Sequence, residues 1–240
     1  MKYKIYQGKS LTQEMYLKTW ELDNVTFEDK DKLTKDKALE WFEYSNRSTI
    51  VLWNEKDNSI VGYITPYVVN DKFSQNYILS NKDYHTALNK SAFYKVGEKK
   101  EVDIYLFSVV VIESYRDKKI TDTKDKKFYN KSAIKVLTEA FLDYCCELKE
   151  DDLSINYIFA EAVSKDGEKY LSSLGMRPCF NMSNDVKYAK LFSADIFKKC
   201  SNSKKIYDVY KNNSARVQFN KELLKNHEYL SIKNNCICFF

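Results

Sequence analysis

The densest chemistry in the sequence lies between Arg116 and Lys135, where eight cations (Arg116, Lys118, Lys119, Lys124, Lys126, Lys127, Lys131 and Lys135) meet three anions (Asp117, Asp122 and Asp125). That surplus of five equals the formal net charge of the whole chain, +5. A solvated lysine-rich loop is one reading of such a run. A site for a polyanionic ligand is another. The run leads into an apolar-periodic segment with Asn130 as its expected N-cap, and the free N–H groups and positive dipole end of a helix form a ready anion site. Arg116, Lys118 and Lys119, with Lys131 and Ser132 in the first helical turn, would surround it. A third reading has the lysines and interleaved tyrosines contacting nucleic-acid phosphates and bases. A charge of +5 over 240 residues argues against that.

Other chemistry is sparse. Six cysteines (Cys145, Cys146, Cys179, Cys200, Cys236 and Cys238) form no CxxC pair, and His85 and His227 are the only histidines, so no metal-ligand spacing is present. Reduced thiols in a cytoplasmic protein fit this usage. The ending Cys236-Ile-Cys-Phe-Phe240 is not a prenylation box, since its cysteines lie five and three residues from the end rather than four. Apolar runs such as Leu106–Ile112 are far shorter than a bilayer span, and Met1-Lys-Tyr-Lys starts no signal core. The chain reads as soluble, with no membrane partner.

The elements that must position the basic run can be read from periodicity. Ser10 is the expected N-cap of a helix carrying Leu11, Met15, Tyr16, Leu17 and Trp20, and Thr34 that of a second carrying Ala38, Leu39, Trp41 and Phe42. Thr49–Trp53 and Ile60–Thr65, joined by Asn54–Asn58, read as a β-hairpin. Residues 70–100 read as an insertion, with a short helix over Asp83–Lys90. Val102–Ile112, apolar and rich in β-branched residues, predicts a central strand covered on both faces. Beyond the basic loop, Ala133, Ile134, Leu137, Ala140, Phe141, Tyr144, Cys145 and Leu148 fall on one helical face. Ile155–Ala162 predicts another strand, Ser164 caps a short helix stopping at Gly175, and Val186–Phe192 predicts a further strand. The fold class is α/β with a mixed sheet, in a domain over residues 1–199 followed by an extension over 200–240.

Two helices, a hairpin, a long strand, a basic loop opening a helix, then strand, short helix and strand resemble the element order of the GNAT superfamily of N-acyltransferases. Local residues add to the resemblance. Val111-Ile-Glu-Ser-Tyr-Arg116 keeps the valine, tyrosine and arginine of the family's cofactor motif. Ser164–Met176 is similar to the second motif, with Ser164 for its asparagine, Leu171 for its tyrosine and Leu174-Gly-Met176 for its closing triplet. Ile60-Val-Gly-Tyr-Ile64 resembles the family's valine-glycine strand. The resemblance covers roughly residues 10 to 193. Two departures stand out: Asp117–Asn130 contains no glycine, and this turn is longer than the family's.

The resemblance implies a GNAT-like fold with splayed central strands and acetyl-CoA (coenzyme A) as cofactor. It implies that Val109 and Val111 pair through their backbones with the pantetheine and that the basic loop holds the pyrophosphate. The implied activity is acetyl transfer to a primary amine of a small molecule, peptide or protein. Such a reaction needs a base, an oxyanion donor and often an acid. Glu113, at the family's proline position, and Glu161 on the next strand are the candidate bases, and the Val111 N–H is the oxyanion donor. Tyr170, beside the Leu171 that replaces the family's tyrosine, is the candidate acid. The missing glycines and displaced tyrosine support an alternative, a noncatalytic GNAT-like binding module.

Overall fold

The computed structural model describes residues 2–27, 32–45, 48–74, 87–95, 101–123, 125–150, 153–174, 176–182 and 185–191. The first half of the expected helix over Asp83–Lys90 lies outside these residues, and Gly175 and the extension from Cys200 lie wholly outside them. The chain divides into two units, Met1–Tyr67 with Phe107–Tyr144, and Val68–Leu106 with the remainder from Cys145.

In the first unit, β1 (Tyr3–Tyr6), β2 (Ile50–Asn54), β3 (Ser59–Val69) and β4 (Glu101–Val111) follow one another in that order, β3 and β4 each running on past the unit's edge. The β2–β3 hairpin turns where expected, with Asn58 at φ 48°, a left-handed position that asparagine tolerates. β1 was not foreseen; it pairs antiparallel with β2 from Tyr3↔Asn54 to Tyr6↔Val51. Gly62 answers a packing need. A Cβ there would sit 2.6 Å from the carbonyl oxygen of Val110 and 3.2 Å from Cα of Val111, so β3 reaches β4 this closely only without a side chain.

Helices α1 (Gln13–Thr26) and α2 (Lys35–Tyr44) pack beside these strands. Thr34 caps α2 as expected, its hydroxyl accepting from Lys37 N at 3.3 Å. The cap of α1 is Thr12, not Ser10, because Gly8–Ser10 forms a separate 3-10 turn and the Thr12 hydroxyl accepts from Met15 N. Leu11, Tyr16, Phe42, Val51, Trp53, Tyr63 and Val110 share one core cluster. Stacked Tyr16 and Phe42 rings, 4.7 Å apart, and a T-shaped Trp41–Tyr67 pair at 5.8 Å add about 0.5–1.5 kcal/mol each beyond area burial.

In the second unit the order is β4, β7 (Ser154–Ala162), β9 (Asp185–Leu191) and β8 (Arg177–Met182). β4 and β7 are parallel and the other pairs antiparallel, so the sheet is mixed. β8 was missed in the sequence; β9 matches the strand expected at Val186–Phe192, offset by one residue. Two short helices belong here, α3 (Asp71–Ser74) and α5 (Lys165–Ser173). The Ser164 hydroxyl caps α5 as expected, accepting from Gly167 N at 3.0 Å. The segment expected as an insertion supplies core: Phe73, Ala87, Leu88, Ala92 and Phe93 are buried, with the Phe73 ring 4.7 Å from that of Tyr105. The long helix α4 (Ala133–Glu150) runs through both units.

Candidate functional site

The burial of β4 changes character at Phe107. Val102–Leu106 are buried throughout, whereas from Phe107 to Val111 the buried residues Ser108 and Val110 alternate with half-buried Phe107, Val109 and Val111. The parallel ladder to β7 has its last pair at the same point, Leu106↔Ala160, and among the described residues none follows it. β7 itself continues to Ala162, paired with β9. Among the described residues the β4–β7 ladder therefore runs from Glu101↔Ser154 to Leu106↔Ala160 and stops there.

The chain then turns tightly. The N–H of Ile112 donates to Val61 O at 3.0 Å, and Glu113–Tyr115 forms a 3-10 turn. Tyr115 Oη accepts from Asn54 Nδ2 at 3.1 Å, and the same amide group donates to Asp57 at 2.7 Å, so the tyrosine ties this turn to the hairpin loop. Arg116 Nε donates to Val111 O at 3.1 Å while the residue stays exposed. The Tyr-Arg pair therefore closes the end of β4 and fixes the origin of an outward guanidinium.

The basic run, for which charge alone suggested a solvated lysine-rich loop, holds secondary structure of its own. Two short strands, β5 (Lys119–Ile120) and β6 (Lys131–Ser132), pair antiparallel. Ile120 and Phe128 are buried, and the Asp125 carboxylate and carbonyl accept from the N–H groups of Lys127, Phe128 and Tyr129. These two apolar anchors supply what the charge pattern concealed. Asn130 is not a helix cap: at φ 59° it is left-handed, and its N–H donates to Ile120 O at 2.7 Å. Lys131 and Ser132 accordingly lie in β6, immediately before α4, rather than in its first turn. Lys131 Nζ is 2.5 Å from Oε2 of the buried Glu139, so its charge is matched there. Lys127 pairs with Asp143 at 3.4 Å and Lys2 pairs with Asp122, which holds the Asp122 carboxyl below its usual range. Arg116, Lys118 and Lys119 are exposed where β4 passes into β5.

One group escaped the sequence reading. On α1, Tyr16, Thr19 and Asp23 follow at spacings of three and four, the spacing of a single helical face. Tyr16 and Thr19 are buried, and Asp23 continues their stripe. Tyr63 Oη on β3 donates to Asp23 Oδ1 at 2.6 Å. The residue as a whole is half-buried, but its carboxyl is enclosed, and loss of hydration raises its pKa from 3.8 to about 7 despite the opposing Tyr63 and Ser108 hydroxyls. The same enclosure, with Asp23 beside it, holds the Tyr63 phenol well above its ordinary range. Ser108 on β4, 2% exposed, lies near enough to act on Asp23, yet among the described residues its Oγ has no hydrogen-bond partner of standard geometry. Neither does Asn24 Oδ1. Tyr16 Oη and Tyr67 Oη, 3.3 Å apart, border the cluster. An acidic residue on the buried stripe of an amphipathic helix was the available signal.

The remaining candidates are scattered. Glu113 is exposed in the 3-10 turn. Glu161 belongs to the second unit, on β7 opposite Lys187 of β9. Tyr170, also in the second unit, is half-buried on α5, while Leu171 beside it is buried, so the one-residue shift from the motif position does turn the tyrosine off the packed face. Among the described residues no group of three or more His, Cys, Asp or Glu side chains is arranged to hold a metal, and no helix is long and apolar enough to cross a membrane.

No family model and no curated protein matches the sequence. Solved structures do resemble the fold. A crystal structure of Arabidopsis thaliana NAA60 in complex with acetyl-CoA aligns with TM-score 0.48 at 8% identity, over 79% of this chain and 98% of that one. The NatC complex bound to Gag peptide and CoA aligns with TM-score 0.49 at 10% identity, over 80% and 100%. PH1933 from Pyrococcus horikoshii OT3 aligns with TM-score 0.45 at 16% identity, over 80% and 99%. The fold is GNAT-like. Its own element order and strand pairing say so, and at these identities each likeness concerns the fold alone.

Proposed function

We propose that the protein is an acetyl-CoA-dependent N-acetyltransferase acting on a primary amine of a small molecule, peptide or protein. The observation that carries this reading is the end of β4. Its half-buried Val109 and Val111 follow the last ladder pair with β7, and they lead directly into the exposed Arg116, Lys118 and Lys119. An extended ligand with amide groups at one end and phosphates at the other fits that sequence of groups. The backbone of Val109 and Val111 would pair with the pantetheine amides, and the N–H of Val111 would donate to the developing oxyanion. Arg116, anchored through Nε to Val111 O, would direct its remaining donors at the pyrophosphate, with Lys118 and Lys119 beside it. Ser132, next to the first residue of α4, stands near the helix end that favours an anion. Lys131 has a smaller part than its position suggested, because Glu139 matches its charge.

A second reading, a noncatalytic GNAT-like module, is favoured by one observation: the β5–β6 hairpin stands before α4 where a glycine-rich turn would let backbone approach phosphate. Isothermal titration with CoA separates an intact site from a lost one. An acetylation assay with acetyl-CoA and primary amines then separates catalysis from binding. The lines drawn at 1–199 for the domain and 200–240 for the extension remain part of this proposal, as do Glu113, Glu161 and Tyr170 as acid–base candidates.

A further inference from the structure

Asp23, Tyr63 and Ser108 come from three elements, α1, β3 and β4, and meet at the residue immediately before the β4 segment assigned above to the pantetheine. We propose that this cluster is the acceptor's ammonium site, with Asp23 as the base that takes its proton; the proposal rests on the acyltransferase reading. Three observations support it. The Asp23 carboxyl is enclosed, and its position is fixed by a 2.6 Å bond from Tyr63. Ser108 Oγ, near enough to act on Asp23, is a buried polar atom without a hydrogen-bond partner of standard geometry among the described residues. Buried polar atoms are ordinarily satisfied, and an ammonium carries three donors, which could serve Asp23 and Ser108 together. The phenols of Tyr16 and Tyr63 beside the cluster are held above their ordinary range and stay neutral, so the carboxylate is the group that would draw a cation.

The chemistry balances. The ammonium gives one proton to the Asp23 carboxylate, and the freed nitrogen attacks the thioester carbonyl carbon. The C–N bond forms as the C–S bond breaks, and its electron pair leaves on sulfur. The nitrogen's second proton passes through water to the thiolate, giving an amide and a free thiol, and Asp23 returns its proton to solvent. A carboxyl that titrates near neutrality suits this duty better than the exposed Glu113, because a base works best with its pKa close to the working pH.

The test uses the full chain and three probes: spermidine, phenethylamine and a short peptide with a free N-terminus. Thiol release from acetyl-CoA is followed across pH 5.5–9, alongside CoA titration and a thermal melt. The expected result is acetylation of at least one probe, with kcat/KM falling on the acid side as Asp23 is protonated. Asp23→Asn, which keeps an acceptor for the Tyr63 hydroxyl, should lower kcat/KM about a hundredfold or more, flatten the acid limb and leave CoA affinity within about twofold. Tyr63→Phe, losing the bond that stabilises the carboxylate, should move the acid limb to higher pH, a shift that loss of packing would not produce. If Asp23→Asn kept both rate and pH profile, or if the parent bound CoA and acetylated none of the probes, the base assignment would be overturned with CoA binding intact. A parent that does not bind CoA would overturn the acyltransferase reading and this proposal with it.

Discussion

Replacing Asp23 by asparagine removes an ionisation without removing the hydrogen-bond acceptor that Tyr63 uses, so its effect on stability isolates the enclosure of the carboxyl. In the unfolded chain the group loses its proton near 3.8, and in the folded protein near 7. Well below 3.8 both forms are protonated and the folded state has its full share of stability from this group. Between pH 4 and 7 the unfolded form ionises while the folded form keeps its proton, so stability falls as pH rises; above 7 both are ionised and the loss is complete. A displacement from 3.8 to about 7 corresponds to about 4 kcal/mol, at about 1.4 kcal/mol for each tenfold change in the proton equilibrium. Asparagine never ionises. The stability of Asp23→Asn relative to the parent should therefore rise by about 3 kcal/mol from pH 4.5 to pH 8.5, since the unfolded carboxyl is already mostly ionised at pH 4.5. Urea denaturation followed by tryptophan fluorescence measures it, since Trp20, Trp41 and Trp53 all belong to the unit that holds Asp23. A difference that stayed constant over this range would show that Asp23 ionises in the folded protein as it does in the unfolded chain, and the physical basis for a neutral-pH base would be gone.

Gly62→Ala should cost about 1–3 kcal/mol in the same denaturation assay, because the new Cβ meets the backbone of β4 at 2.6 Å rather than a side chain that can rotate away; an unchanged midpoint would mean that the two strands separate easily there. Arg116→Ala should weaken CoA about ten- to hundredfold by titration calorimetry, whereas Lys126→Ala should cost far less and vary with salt; equal small effects would remove Arg116 from the anion site. Lys131→Met should lower fold stability by roughly 2 kcal/mol by leaving the buried Glu139 carboxylate unmatched, and Glu139→Gln added to it should recover most of the loss. Amide exchange in the basic loop should be slow at Asn130, whose N–H is bonded to Ile120 O, and fast at exposed Lys118.

Periodicity and local capping were legible in the sequence because they depend on neighbours along the chain. The Thr34 and Ser164 caps, the hairpin, the long apolar strand and the amphipathic helix beyond the basic loop all stand close to where their patterns put them. Short strands without an apolar period escaped: β1, β5, β6 and β8 exist because a partner supplies their hydrogen bonds. The charge of the loop was visible, but its fold was not, since Ile120 and Phe128 become anchors only once the rest of the unit gives them a surface to bury against. Lys131 looked like an anion ligand until Glu139, eight residues along, matched its charge. Composition and spacing thus determined the element order and the place of the positive charge. Tertiary structure alone decided which cations face outward and which carboxyl is enclosed, because hydration is lost only when α1, β3 and β4, far apart in the chain, close around Asp23.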